Sequence, residues 1–384
     1  MIPYGRQNID DEDIESVVDV LRSPLITQGL VVPKFEKSVS KITGSKYSVS
    51  FNSATSALHS ACLALGLTEG DIAWTVPNSF VASANCILLT GAEVDFVDID
   101  FKTKNISIEK LIDKLKIAKK TNKLPKILIP VHFSGEPTIQ EEIKKLSRKY
   151  GFKIIEDASH AIGASRNKEM VGSCKWSDIT VFSFHPVKII TTGEGGMATC
   201  NNLNLYKKLN LLRSHGVSRD FDKKRYGDWF YKQIDLGFNY RMTDIAAALG
   251  LSQLKKLNSF LKSRRNIVSL YNSLLSELPM TLPFTDRVNK SSWHLYVVNF
   301  DKKKNKGKNI RDVIYKDLRN NGYGVNVHYI PIHIHPFYKK MGFKRGDFPN
   351  SEHYYNTALS LPIFPNLKEK DQIKVVEIIK SNLL

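Results

Sequence analysis

Cysteine is scarce in this chain and never paired: Cys62, Cys86, Cys174 and Cys200 stand far apart with no CxxC spacing. That distribution argues against a disulfide framework and a structural zinc site, and it fits a reducing compartment. Long apolar runs are missing too. None approaches the roughly 20 residues that cross a bilayer. The opening MIPYGRQNIDD has neither a basic leader nor a signal-peptide core, so a soluble, cytoplasmic protein with no membrane partner is expected. Negative charge is in short supply, with 38 Asp plus Glu against 56 Lys plus Arg and a formal net charge of +18. The lysines cluster at 114–126, 144–153, 223–225 and 302–308, mostly between apolar-periodic segments or on their polar faces, and no zinc-finger, basic-zipper or stacking motif accompanies them. A solvated surface without a nucleic-acid partner is expected. Phosphate-loop fingerprints are absent as well, because the glycine cluster Gly193–Gly196 has neither Rossmann nor Walker A spacing.

What the 384 residues do contain is an alternation of strand-like and helix-like stretches. Strand patterns fall at 47–51, 72–77, 92–100, 126–133, 152–157 and 179–184. Helical patterns separate them, the first announced by Asp10 and Asp13, a later one by Thr138 and Glu141 as a capping box. This predicts an α/β fold with a mostly parallel central sheet, helices on both faces and ligands at the strands' carboxyl ends. The length suffices for two cores. A large domain is expected over 1–255 and a smaller C-terminal α/β domain over 256–384, with a bridging helix from Phe260 and strands at 293–300 and 323–332.

One lysine stands out. Lys188 follows the buried-strand pattern Ile179–Phe184 and precedes Thr191, Thr192 and the glycine turn. Burying an ammonium is costly unless it is paired or deprotonated, so Lys188 is either a nucleophile for a carbonyl or a side chain that snorkels to solvent. Near the end of another strand, Glu156 and Asp157 precede His160. Period two sends the two carboxylates to opposite faces, one toward the ligand edge and the other toward a helix or solvent. The strand-to-helix junction at 51–56 offers unpaired N–H groups and the hydroxyls of Ser53, Thr55 and Ser56 to a phosphate, although Ser53 also reads as a simple N-cap. Phe80, at the next such junction, is either core or a stacking platform. His328, His333 and His335 suggest a metal, but Pro331 and Pro336 interrupt regular structure and no acidic ligand is nearby, so none is expected.

From Ser183 to Gly196 the chain resembles the lysine segment of the DegT/DnrJ/EryC1/StrS family of sugar aminotransferases. NSATSAL, PNSFVASAN, FKIIEDASHAIG and GFNYRMTD match further family motifs in order, over nearly the full length. The resemblance implies a pyridoxal 5'-phosphate (PLP) enzyme of fold type I, like aspartate aminotransferase, with Lys188 as its Schiff-base residue. It assigns Asp157 to the pyridine nitrogen, His160 to the phenolic oxygen, and Phe80 to the ring face. Thr55, Ser56, Ser183 and, from the neighbouring subunit, Asn239 fall to the phosphate, which implies a homodimer with shared active sites. Thr27, Gln28, Glu194, Arg241, His328 and His333 fall to the substrate. Within the family the chain is most similar to members that use L-glutamate to aminate C4 of a UDP-linked 4-keto-6-deoxy-N-acetylhexosamine on the route to pseudaminic acid. The alternative acceptor is another 4-keto or 3-keto nucleotide-sugar. Some relatives carry histidine in place of the lysine and dehydrate C3; Lys188 is retained, which implies transamination.

Overall fold

A computed structural model describes residues 1–221, 223–300 and 310–383; the lysine run at 302–308 lies outside them. Seven strands form the central sheet: β1 (Tyr47–Phe51), β2 (Ile72–Thr75), β3 (Glu93–Phe96), β4 (Ile127–Leu128), β5 (Lys153–Asp157), β6 (Ile179–Ser183) and β7 (Gly196–Cys200). Their order is β1-β7-β6-β5-β4-β2-β3, with β7 antiparallel to both neighbours and the other strands parallel to one another. This topology gathers the functional motifs at one edge. The carboxyl ends of β1, β5 and β6 and the amino end of β7 coincide there, so the 184–195 loop leaves and re-enters the sheet at that edge.

Period two builds the layers. Val181 and Ala198 face a core shared with helices Ala54–Ala64 and Leu203–Arg213, while their neighbours Phe182 and Met197 face a second core. That second core includes Phe35 and Val39 of helix Val31–Thr43, Ala247 of helix Asp244–Lys255, and Leu257, Phe260 and Leu261. The helix Leu257–Leu275 belongs to two cores: beyond Leu261, its Ile267, Tyr271 and Leu275 pack into the C-terminal core. There strands Tyr296–Asn299 and Ala358–Leu361 pair antiparallel, covered by helices Ile310–Asn320 and Glu369–Leu383.

Several local expectations change. Asp10 and Asp13 do cap helix Asp11–Leu21, but Thr138 and Glu141 form no box: helix Gln140–Tyr150 starts without a side-chain cap and Glu141 instead grips Arg166 at 2.8 Å. The 323–332 stretch is not a strand. It makes two isolated bridges, Tyr323 to Ile2 and Asn326 to Ser360, and the partner of Tyr296–Asn299 is the 358–361 segment. Helix Val31–Thr43 has no local N-cap signal, because its cap is remote: the Asp244 carboxylate accepts from the N–H groups of Gly29, Val31 and Val32 at 2.7–3.0 Å.

Candidate active site

A cavity of about 600 Å³ opens at this sheet edge. Nine of the residues singled out in the sequence line it: Ser53, Thr55, Phe80, Asp157, His160, Ser183, Lys188, Glu194 and His328. Lys188 is placed by a loop closed on itself. Phe184 N–H donates to Gly195 O at 2.9 Å, Thr192 N–H and Thr191 Oγ1 both donate to Phe184 O, and Lys188 N–H donates to His185 O at 2.9 Å. Desolvation lowers the Lys188 ammonium from 10.5 to about 8, although the Asp157 charge pulls the other way.

Asp157 ends β5 with both oxygens held. Ser83 Oγ donates to Oδ2 at 2.6 Å, and Ser159 donates to Oδ1 through Oγ at 2.6 Å and N–H at 3.1 Å. Glu156, one residue earlier, points the other way and accepts from Gln140, Ser177 and Thr180. The period-two split therefore gives one carboxylate to the cavity and one to the core.

The helix Ala54–Ala64 aims its N-terminus into the cavity. Ser53 and Ser56 form a reciprocal capping box, which engages the N–H of Ser56 and leaves those of Ala54 and Thr55 without a partner among the described residues. Gly196 permits this approach: a Cβ there would lie 2.5 Å from Ser53 O and 2.6 Å from Ala54 N. Free amides at a helix N-terminus, Thr55 and Ser183 beside them, and a carboxylate and a lysine further in match a planar, phosphorylated aldehyde with a basic ring nitrogen. The residues present fit PLP.

Six residues assigned to the site do not line this chain's own cavity, among them Asn239, which the resemblance assigned to the neighbouring subunit's phosphate. Ser56 Oγ is bound within the cap, donating to Asn52 Oδ1 at 2.6 Å. His333 lies in a short turn, with Nε2 2.9 Å from Glu352 Oε1, because the 3-10 turn Ile332–Ile334 directs its ring away from the cavity and against Phe348. Thr27 is bridged to Thr243, and Asn239 O accepts from Asn52 Nδ2 at 3.4 Å, next to the cavity-lining Ser53.

Other lining residues carried no local signal. Tyr4 packs on His328 with ring centres 4.8 Å apart, and its backbone carbonyl accepts from Ile363. Tyr329 Oη meets His160 Nε2 at 3.1 Å, while His160 Nδ1 accepts from the Ser134 N–H. His294 is buried with its ring centre 4.4 Å from that of His160. Burial and the Lys188 charge hold His328 down at about 3, and the same influences hold His160 and His294 well below the usual histidine range. His160, His294 and His328 thus line the same cavity as Lys188.

A type I sheet, with a desolvated lysine and a fixed carboxylate facing one cavity at its carboxyl edge, defines a PLP-dependent aminotransferase. Residues 7–380 match the DegT/DnrJ/EryC1/StrS aminotransferase family, and the chain belongs to it. It is 39% identical to the UDP-4-amino-4,6-dideoxy-N-acetyl-beta-L-altrosamine transaminase of Campylobacter jejuni, over 97% of this chain and 94% of the relative. Its structure is similar to Helicobacter pylori PseC, an aminotransferase involved in the biosynthesis of pseudoaminic acid, with a TM-score of 0.90 and 30% identity over 100% and 99% of the two chains. Spr1654 of Streptococcus pneumoniae, in its PMP form, matches with a TM-score of 0.91 and 29% identity over 100% and 99%; it is also solved in a PLP form.

Proposed function

We propose that the protein transfers the amino group of L-glutamate to C4 of UDP-2-acetamido-2,6-dideoxy-β-L-arabino-hexos-4-ulose, giving UDP-4-amino-4,6-dideoxy-N-acetyl-β-L-altrosamine. The observation that carries this reading is the near full-length match to the Campylobacter jejuni transaminase, joined to a cavity that retains Lys188.

PLP, when bound, supplies the electron sink that makes the α-hydrogen of the amino donor acidic. The amides of Ala54 and Thr55, with Ser183, would hold its phosphate. Asp157, fixed by Ser83 and Ser159, would meet the ring nitrogen, with Phe80 at the ring face and His160 by the phenolic oxygen. Lys188 Nζ takes the proton from Cα of glutamate and, in the second half-reaction, delivers a proton to C4 of the sugar. Glu194 and His328 face the sugar from the cavity wall.

The site is completed by a second copy of the chain. The segments that carry Thr27, Gln28, Asn239 and Arg241 also expose apolar side chains, Leu25, Ile26, Leu30 and Leu236, of which Leu30 is 76% and Leu236 71% exposed. Apolar side chains so exposed beside polar groups suit an interface that lends Asn239 to the neighbouring phosphate.

Product analysis tests the acceptor. Purified protein, glutamate and PLP are mixed with UDP-linked and dTDP-linked 3-keto and 4-keto sugars, and the new amine is assigned by NMR. The altrosamine product is expected; turnover of a different keto sugar alone would remove the acceptor assignment and leave Lys188 in place.

A further inference from the structure

We infer that His294 is a positioning residue that acts through His160, fixing the orientation in which His160 meets the cofactor. The inference rests on the reading that His160 stands at the phenolic oxygen. Four observations support it.

His160 has one workable tautomer. Its Nδ1 accepts the Ser134 N–H at 3.1 Å, so the ring proton is on Nε2, which reaches Tyr329 Oη at 3.1 Å. A turn of the ring would break both contacts. Neither of them, however, opposes tilting about the axis that joins them.

The His294 ring fills the space that such a tilt needs. It is 4% exposed and lies 4.4 Å from the His160 ring centre at 44°. Its Nδ1 is buried and has no hydrogen-bond partner among the described residues. Its value to the site is therefore the ring contact rather than a hydrogen bond from that nitrogen.

The two histidines are mounted on one rigid block. His294 N–H donates to Ser134 O at 2.9 Å, and Ser134 Oγ donates to Leu295 O at 2.6 Å, so the residue that sets the His160 tautomer also holds the His294 backbone. Ser292 Oγ donates to His160 O at 2.6 Å, and Ser292 N–H donates to Gly135 O at 3.1 Å. Gly135, at φ +91°, sits so close to Ser292 and His160 that a Cβ would collide with both.

A buried cation anchors the block from behind. Arg264 is fully buried, and its Nη1 donates to the carbonyls of Trp293, His294 and Ile363 at 3.1–3.2 Å. Burial, together with the charges of Lys188 and Arg264, holds His294 well below the usual histidine range, so the ring contact is between neutral groups.

The test is a double-mutant cycle on the PLP-loaded protein, read by the midpoint of the visible-band pH titration and by kcat and KM for each substrate. His160→Ala is expected to shift the midpoint and lower kcat about 100-fold. His294→Ala should shift it in the same direction and lower kcat about 10-fold with KM for the sugar within about twofold. His160→Ala/His294→Ala should be no worse than His160→Ala alone. His294→Phe, which restores a ring, should recover the midpoint. Losses that multiply in the double variant, or a Phe variant as impaired as Ala, would overturn the inference. No effect of His160→Ala on the titration would instead overturn the placement of His160. Far-UV circular dichroism and a urea melt exclude unfolding, and the Phe variant keeps the test decisive if Ala proves unstable.

Discussion

Ser83 Oγ stands 2.6 Å from Asp157 Oδ2, joining helix Ala82–Leu88 to the end of the fifth strand and fixing the plane of the carboxylate that faces the cavity. A hydrogen bond to a charged group contributes about 1.5–3 kcal/mol. Ser83→Ala is therefore expected to lower kcat about 10-fold while the protein still takes up PLP, and Asp157→Asn to lower it by more than about 100-fold. Steady-state kinetics alongside a PLP titration separate the two effects; equal losses in both variants would show that Ser83 does more than orient Asp157.

The lowered Lys188 predicts how the cofactor is captured. Only the neutral amine attacks an aldehyde, and below about 8 its fraction rises tenfold per pH unit. The second-order rate of PLP capture by cofactor-free protein, followed by stopped-flow absorbance, should climb between pH 6 and 8 and level above. Lys188→Ala should form no normal visible band and lose at least about 10³-fold in turnover.

The same group carries a stability prediction. Its folded value, about 8, lies below its ordinary 10.5, so between these limits the unfolded chain binds the proton more tightly and stability rises with pH. The penalty of burying the ammonium is full below pH 8 and gone by 10.5. Lys188→Met should therefore stabilise the cofactor-free protein at pH 7 by on the order of 1–3 kcal/mol, a gain that fades toward pH 10. Urea melts at the two pH values measure it; a constant gain would point to packing instead.

Gly196→Ala tests the closeness of strand and helix at the phosphate end. Its Cβ would lie 2.5 Å from Ser53 O and 2.6 Å from Ala54 N, both backbone atoms, so the helix N-terminus must back away. A loss of about 1–3 kcal/mol in stability and at least about 10-fold in PLP affinity is expected, by melts and by equilibrium titration.

Shared sites predict complementation. Lys188→Ala and an inactive Asn239 variant, such as Asn239→Asp, should each fail alone. In a mixed dimer one of the two sites is wholly native, so random exchange should restore about a quarter of the native activity. Mixtures that stay inactive, with exchange shown by native mass spectrometry, would place Asn239 in its own chain's chemistry.

The sequence by itself determined what depends on short-range physics. Alternating strands and helices announced the α/β sheet, period two separated Glu156 from Asp157, and Asp10 with Asp13 marked the first helix, because each signal lies within a few residues of its effect. Lys188 was conspicuous for the same reason: a lone lysine after a buried strand is locally anomalous. The resemblance in five separated motifs gave the family, which the full-length match shows. Only the tertiary structure decided the rest. Thr138 and Glu141 have the spacing of a capping box, but Arg166 takes Glu141 away. Helix Val31–Thr43 is capped by Asp244, more than two hundred residues distant. His328 reaches the cavity while His333, five residues later, turns away from it toward Glu352 and Phe348. Tyr4, His294 and Tyr329 become cavity walls because strands and loops remote in the chain meet at one sheet edge. A side chain's neighbours along the chain follow from covalent geometry; its neighbours across a cavity follow from how whole layers pack, and no local pattern encodes that.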